Sequence, residues 1–63
     1  MPIIQVHMIE GRTVDQKRAL VTSMTDAVAK SLNVKPDDVR IILQEMAKQD
    51  YAVAGVLIAD KKG

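Results

Sequence analysis

The residue with the most distinctive chemistry in this 63-residue chain is Pro2. Removal of Met1, which a small second residue permits, turns the Pro2 ring nitrogen into a secondary amine that can take up or release a proton. Buried beside cations, such an amine loses proton affinity until its free base is populated near neutral pH, and it can then serve as a general base. Taken alone, Met-Pro is more simply a proline opening a strand, where the missing amide hydrogen does no harm. Two arginines give it company. Arg12 falls just before a predicted helix, where amide donors and the macrodipole favour anions. Arg40 lies between Val39 and Ile41 in an aliphatic run and needs a partner there, either an internal acid or a ligand carboxylate gripped bidentately. Without further information each is more readily a solvated or salt-bridged surface arginine, and Arg18 reads as an exposed helix residue.

Other chemistries are poorly served. Ser23 and Ser31 fall inside the predicted helix and the one histidine, His7, on a predicted strand, so no Ser-His-acid arrangement is suggested and His7 reads as a satisfied strand residue. Gly11, Gly55 and Gly63 form no phosphate-binding loop, and the adjacent Asp37 and Asp38 read as a solvated turn. The absence of cysteine, with a single histidine, removes disulfides, thiolate metal sites and thiol nucleophiles together, so a metal centre is not expected. Nine Lys plus Arg against eight Asp plus Glu leave a formal charge of +1, too weak a field to suggest nucleic acid or an anionic membrane, and Tyr51 alone is no stacking platform for bases. Apolar runs stop well short of the roughly 20 residues that a membrane helix needs, and no export-type leader is evident. A soluble cytoplasmic protein acting on a small molecule is expected.

The elements that must position Pro2, Arg12 and Arg40 form one domain over residues 1–63, the length of a single small core. Residues 2–9 are rich in β-branched side chains and predict a strand with Ile4, Val6 and Met8 on one face and Ile3, Gln5 and His7 on the other. Glu10, Gly11 and Arg12 form a turn. Thr13 with Gln16 three residues on matches a capping box, opening a helix from Val14 to Leu32. Its apolar stripe is read as Leu20, Val21, Met24, Ala27, Val28 and Leu32, with Asp15, Lys17, Arg18, Asp26 and Lys30 facing elsewhere. Asn33 suits a left-handed C-terminal cap, and Pro36 prevents the helix from resuming. Residues 39–46 predict a second strand, parallel to the first because a helix intervenes. Lys48 to Asp50 reads as polar loop, Tyr51 to Ile58 as a short hairpin or an added edge strand, and Lys61, Lys62 and Gly63 as a mobile tail without an assigned role. The fold class is therefore α/β, a single βαβ unit with parallel strands, followed by the hairpin or edge strand.

One helix covers only one face of a two-stranded sheet, yet Ile3, Ile4, Ile41 and Ile42 place large aliphatic side chains on both. A domain this small without disulfide or metal commonly gains its missing burial by association, so a homo-oligomer is expected. Pro2 and Arg12 stand at opposite ends of the first strand, roughly 25 Å apart at 3.3 Å per residue, so a site using both must cross subunits.

Several short stretches in order and spacing carry a resemblance. Met-Pro-Ile followed by Gln5, the run His7 to Arg12, Gln16-Lys17, Ser31-Leu32, Val39-Arg40 and Glu45 to Lys48 together resemble the 4-oxalocrotonate tautomerase family of the tautomerase superfamily over essentially the whole chain. The resemblance implies an α/β fold, a single βαβ unit with parallel strands and a short C-terminal hairpin, assembled as a hexamer, a trimer of dimers, without a cofactor. It implies that Pro2, as the N-terminal amine, moves a proton from the 2-hydroxyl oxygen to carbon of a dienol acid such as 2-hydroxymuconate, a reaction of aromatic hydrocarbon catabolism. On the matching positions Arg40 would hold the carboxylate beside the 2-oxygen, Arg12 would bind the distal carboxylate, and Ile9 and Tyr51 would be apolar substrate contacts. Two departures stand out: Tyr51 replaces the family's usual Phe, and the hairpin around Gly55 has fewer glycines than usual.

Two alternatives remain at this point. One is hydratase or hydrolytic dehalogenase chemistry of the same superfamily, against which Tyr51 to Ile58 offers no acid to position water. The other is a non-catalytic assembly or binding module that keeps the fold.

Overall fold

β-Branched and aliphatic residues run in phase with the pleat from the start of the chain, and the computed structural model, which describes residues 1–61, forms a parallel pair from them. Strand β1 (Ile3–Ile9) pairs with β2 (Arg40–Met46) in register from Ile3 with Arg40 to Ile9 with Met46. Helix α1 (Val14–Leu32) is the crossover that a parallel pair requires. A separate antiparallel hairpin, β3 (Ala52–Val53) and β4 (Val56–Leu57), follows. Tyr51 to Ile58 is thus a hairpin and not an added edge of the β1-β2 sheet. The remaining connections tighten into 3₁₀ turns at Pro36–Asp38, Lys48–Asp50 and Ile58–Asp60, so Asp37 and Asp38 lie in a helical turn opened by Pro36. Lys62 and Gly63, expected in a mobile tail, lie outside the described residues.

Helix ends follow the local chemistry. The Gln16 backbone N–H donates to Thr13 Oγ1 at 3.1 Å and the Thr13 N–H donates to Gln16 Oε1 at 2.9 Å, the reciprocal capping box that the sequence predicts. At the other end Asn33 adopts φ 56° and ψ 49°, and its N–H reaches the Ala29 carbonyl. The packed stripe differs from the predicted one. Ala29 is the buried member and Lys17 is half-buried, whereas Ala27 and Leu32 are exposed. The two strands offer a narrow platform that covers little of the helix, and Leu32, at its last turn, stays 59% exposed.

Burial also measures what one protomer lacks. Among the described residues Ala29, 8% exposed, is the only buried apolar side chain. The surface of 5009 Å² exceeds the ~4,000 Å² expected of a compact monomer of this mass. The radius of gyration, 14.8 Å, likewise exceeds the ~10.6 Å of a compact chain. Ile3 and Ile42 remain 59% and 46% exposed on the sheet face away from α1, and Val53, Val56 and Leu57 are exposed on a hairpin too short to be stable unaided.

Candidate active site

The two ends of the sheet hold different parts of the candidate chemistry. At the amino-terminal end the backbone N–H of Arg40 donates to the Pro2 carbonyl at 3.0 Å, extending the ladder one residue beyond Ile3. Pro2 is half-buried, and Met1 before it is exposed. Arg40 opens β2 on the exposed side. Its Nη1 donates to the Asp37 carbonyl at 2.7 Å, so the partner within the chain is a backbone carbonyl where an internal acid was one of the two expectations. The cause is position. The 3₁₀ turn brings a free carbonyl beneath the first residue of the strand, where water already reaches the guanidinium.

Alternation along the pleat then separates the two groups by face. Arg40 lies opposite Ile3 on the helix-free side, while Pro2 falls in with the half-buried Ile4 and Val6. Arg12 is at the far end. It sits between Gly11 and the Thr13 cap, beyond the seven residues of β1, which alone span about 23 Å. One protomer therefore brings Pro2 and Arg40 to a common edge and leaves Arg12 remote.

The apolar candidates are also split. Ile9 closes β1 opposite Met46 and is half-buried. Tyr51 precedes the hairpin, exposed, and its carbonyl accepts from the Ile58 N–H at 2.8 Å. Open clefts occur among the described residues. One, of about 290 Å³, is lined by Glu10, Ala47, Lys48, Gln49 and Ala59, and one of about 400 Å³ by Val21, Thr22, Thr25, Asp26 and Pro36. Neither lining includes Pro2, Arg12 or Arg40.

A polar feature between helix and sheet went unread in the sequence. Lys17 Nζ donates to Glu45 Oε1 at 2.7 Å, joining the first turns of α1 to the end of β2. The signal was present in the spacing, since Glu45 continues the helix-facing positions Ile41 and Leu43, and Lys17 stands three and four residues before Leu20 and Val21. By contrast, Arg18 is exposed and paired with Asp15 as a helix-surface residue, in line with expectation.

Comparison with known proteins places this geometry. The family described as "Tautomerase enzyme" matches residues 2–61. A probable tautomerase of Listeria monocytogenes is 47% identical over 60 residues, covering 95% of this chain and 98% of its own. The 2-hydroxymuconate tautomerase of Pseudomonas putida is 40% identical over 57 residues, covering 90% of each chain. Among solved structures, a 4-oxalocrotonate tautomerase isozyme of Methylibium petroleiphilum superposes with a TM-score of 0.90 at 48% identity over 92% of this chain and 91% of its own. A heterohexameric 4-oxalocrotonate tautomerase of Chloroflexus aurantiacus superposes with a TM-score of 0.93 at 31% identity, covering 98% of this chain and all of its own.

Proposed function

Since the chain belongs to the 4-oxalocrotonate tautomerase family of the tautomerase superfamily and has that family's isomerase character, we propose that it is a cofactor-independent keto–enol tautomerase. The substrate is a dicarboxylate-like dienol or keto acid such as 2-hydroxymuconate, handled in the cytoplasm during aromatic hydrocarbon catabolism. Pro2, freed by loss of Met1, takes the proton of the 2-hydroxyl and delivers a proton to a diene carbon. The C–O bond becomes a carbonyl, the remaining double bond moves into conjugation with it, and the amine ends as it began, so no co-reactant is consumed. Arg40 grips the carboxylate beside the 2-oxygen and stabilises charge developing there, and Arg12 of a neighbouring protomer binds the distal carboxylate and draws electron density toward it. Ile9 and Tyr51 supply the apolar wall.

The observation that carries this reading is the family match over residues 2–61, and the 3.0 Å hydrogen bond from the Arg40 N–H to the Pro2 carbonyl holds the two backbones at one end of the sheet with their side chains on opposite faces. Assembly as a homohexamer, a trimer of dimers, is part of the same reading. The exposed Ile3 and Ile42 and the distance from Pro2 to Arg12 support it, as does the heterohexameric relative. The direct test follows ketonisation of 2-hydroxymuconate by ultraviolet absorbance. Wild type turns over and Pro2→Ala loses most of kcat, about 100-fold or more. Equal turnover in the two proteins would remove the base assignment, and turnover by neither would leave a non-catalytic assembly module.

A further inference from the structure

We propose that the Lys17–Glu45 ion pair is a positioning device for Arg12, setting how tightly the distal carboxylate of the substrate is held. The inference rests on the tautomerase reading for what Arg12 binds, but its structural basis is independent of it. The pair spans 28 residues of sequence, its 2.7 Å contact ties α1 to β2, and its side chains are only 26% and 38% exposed. Arg18 with Asp15 and Lys30 with Asp26, by contrast, are exposed pairs within α1 that tie the helix to nothing else.

What lies between the tethers is the Arg12 loop. At its start the Glu10 N–H donates to the Met46 carbonyl at 2.9 Å, fixing the loop to the residue after Glu45. Gly11 then turns the chain with φ 120°, a conformation that side-chain-bearing residues rarely adopt. At its end the Thr13 cap is closed by Gln16, and the Lys17 N–H donates to the Thr13 carbonyl at 3.0 Å. Lys17 therefore holds the residue after Arg12 by its backbone and the end of β2 by its side chain. Glu45 and Met46 anchor both ends of the loop to adjacent positions on one strand. Among the described residues Arg12 has no side-chain hydrogen bond or ion pair of its own, so its direction is inherited from these anchors.

Lys17→Met keeps the aliphatic stem of the side chain and removes the tether. With 2-hydroxymuconate it is expected to raise KM about fivefold and leave kcat within twofold of wild type. With phenylenolpyruvate, an enol acid lacking a distal carboxylate, neither constant moves. The exchange Lys17→Glu with Glu45→Lys restores the lower KM, and Lys17→Met added to Arg12→Ala raises KM no further. An unchanged KM for the dicarboxylate, or an equal rise for both substrates, overturns the proposal. A readout apart from activity covers the case in which wild type turns over neither substrate, which sinks the tautomerase reading alone. There the ¹⁵N heteronuclear NOE of the Arg12 amide is expected to fall in Lys17→Met relative to wild type. An unchanged value overturns the positioning role itself.

Discussion

Arg40 donates its backbone N–H to the carbonyl of Pro2 at 3.0 Å, so the first strand pairs at its amino-terminal edge with the residue that carries a candidate substrate-binding cation. Any displacement of β2 along β1 would change that relationship, and the register from Ile3 with Arg40 to Ile9 with Met46 fixes it. On the proposed function, chemistry at Pro2 depends both on the nitrogen's covalent state and on partners from outside the protomer.

The first dependence concerns Met1, which is bonded to the Pro2 nitrogen and exposed. Intact-mass measurement of active protein is expected to show the chain shortened by this methionine. A variant with one Ala inserted before Pro2 keeps the nitrogen in a peptide bond and should lose at least 100-fold in kcat while retaining its circular dichroism spectrum. Full activity of the extended chain would sink the base assignment.

On the same reading the arginines divide the work between binding and the transition state. Arg12→Ala is expected mainly to raise KM for 2-hydroxymuconate, about tenfold, because it removes a grip made equally on substrate and transition state. Arg40→Ala should lower kcat as well, by about 10- to 100-fold, because charge develops on the oxygen beside it. Steady-state kinetics on both variants checks the split, and a pure KM effect at both positions would count against the role of Arg40.

Association is the second dependence. With Ile3 and Ile42 exposed on the helix-free sheet face, light scattering at micromolar concentration is expected to give a mass several times that of the protomer. Ile42→Glu places a charge on that face and should lower the mass and abolish turnover together. A monomeric wild type that is active would end the shared-site reading.

The hairpin turn offers a test of local strain. Ala54 and Gly55 hold φ of 54° and 80°, the pair of positive values that a two-residue turn matched to strand twist demands. Ala54 carries a side chain in that region, so Ala54→Gly is expected to stabilise the protein by about 1 kcal/mol, read from urea denaturation at fixed protein concentration. Destabilisation would mean that the Ala54 methyl group makes contacts in the assembly that outweigh the strain.

Local patterns were the readable part. The Thr13 and Gln16 capping box, the αL cap at Asn33 and the alternation of Ile4, Val6 and Met8 are set by neighbours within four residues, and each stands as read from the chain. The candidate site residues were legible as chemical types, and Pro2, Arg12 and Arg40 gained weight only from the stretches around them. What escaped was which residues touch across the fold. Arg40 was read as a cation among aliphatic groups, yet its partner is the carbonyl of Asp37 in a turn whose course no periodicity reveals. Lys17 was assigned to the solvent face although it reaches Glu45 on β2.

By itself the sequence determined the order βαβ, the ends of the helix, and the short list of groups able to hold a proton or a carboxylate, because these depend on side-chain type and near-neighbour spacing. Only the tertiary structure decided that Pro2 and Arg40 share one edge while Arg12 stands at the other, and that Ala29, not Ala27, packs against the sheet. Those outcomes follow from strand register and helix rotation, which are fixed by contacts between residues far apart in the chain.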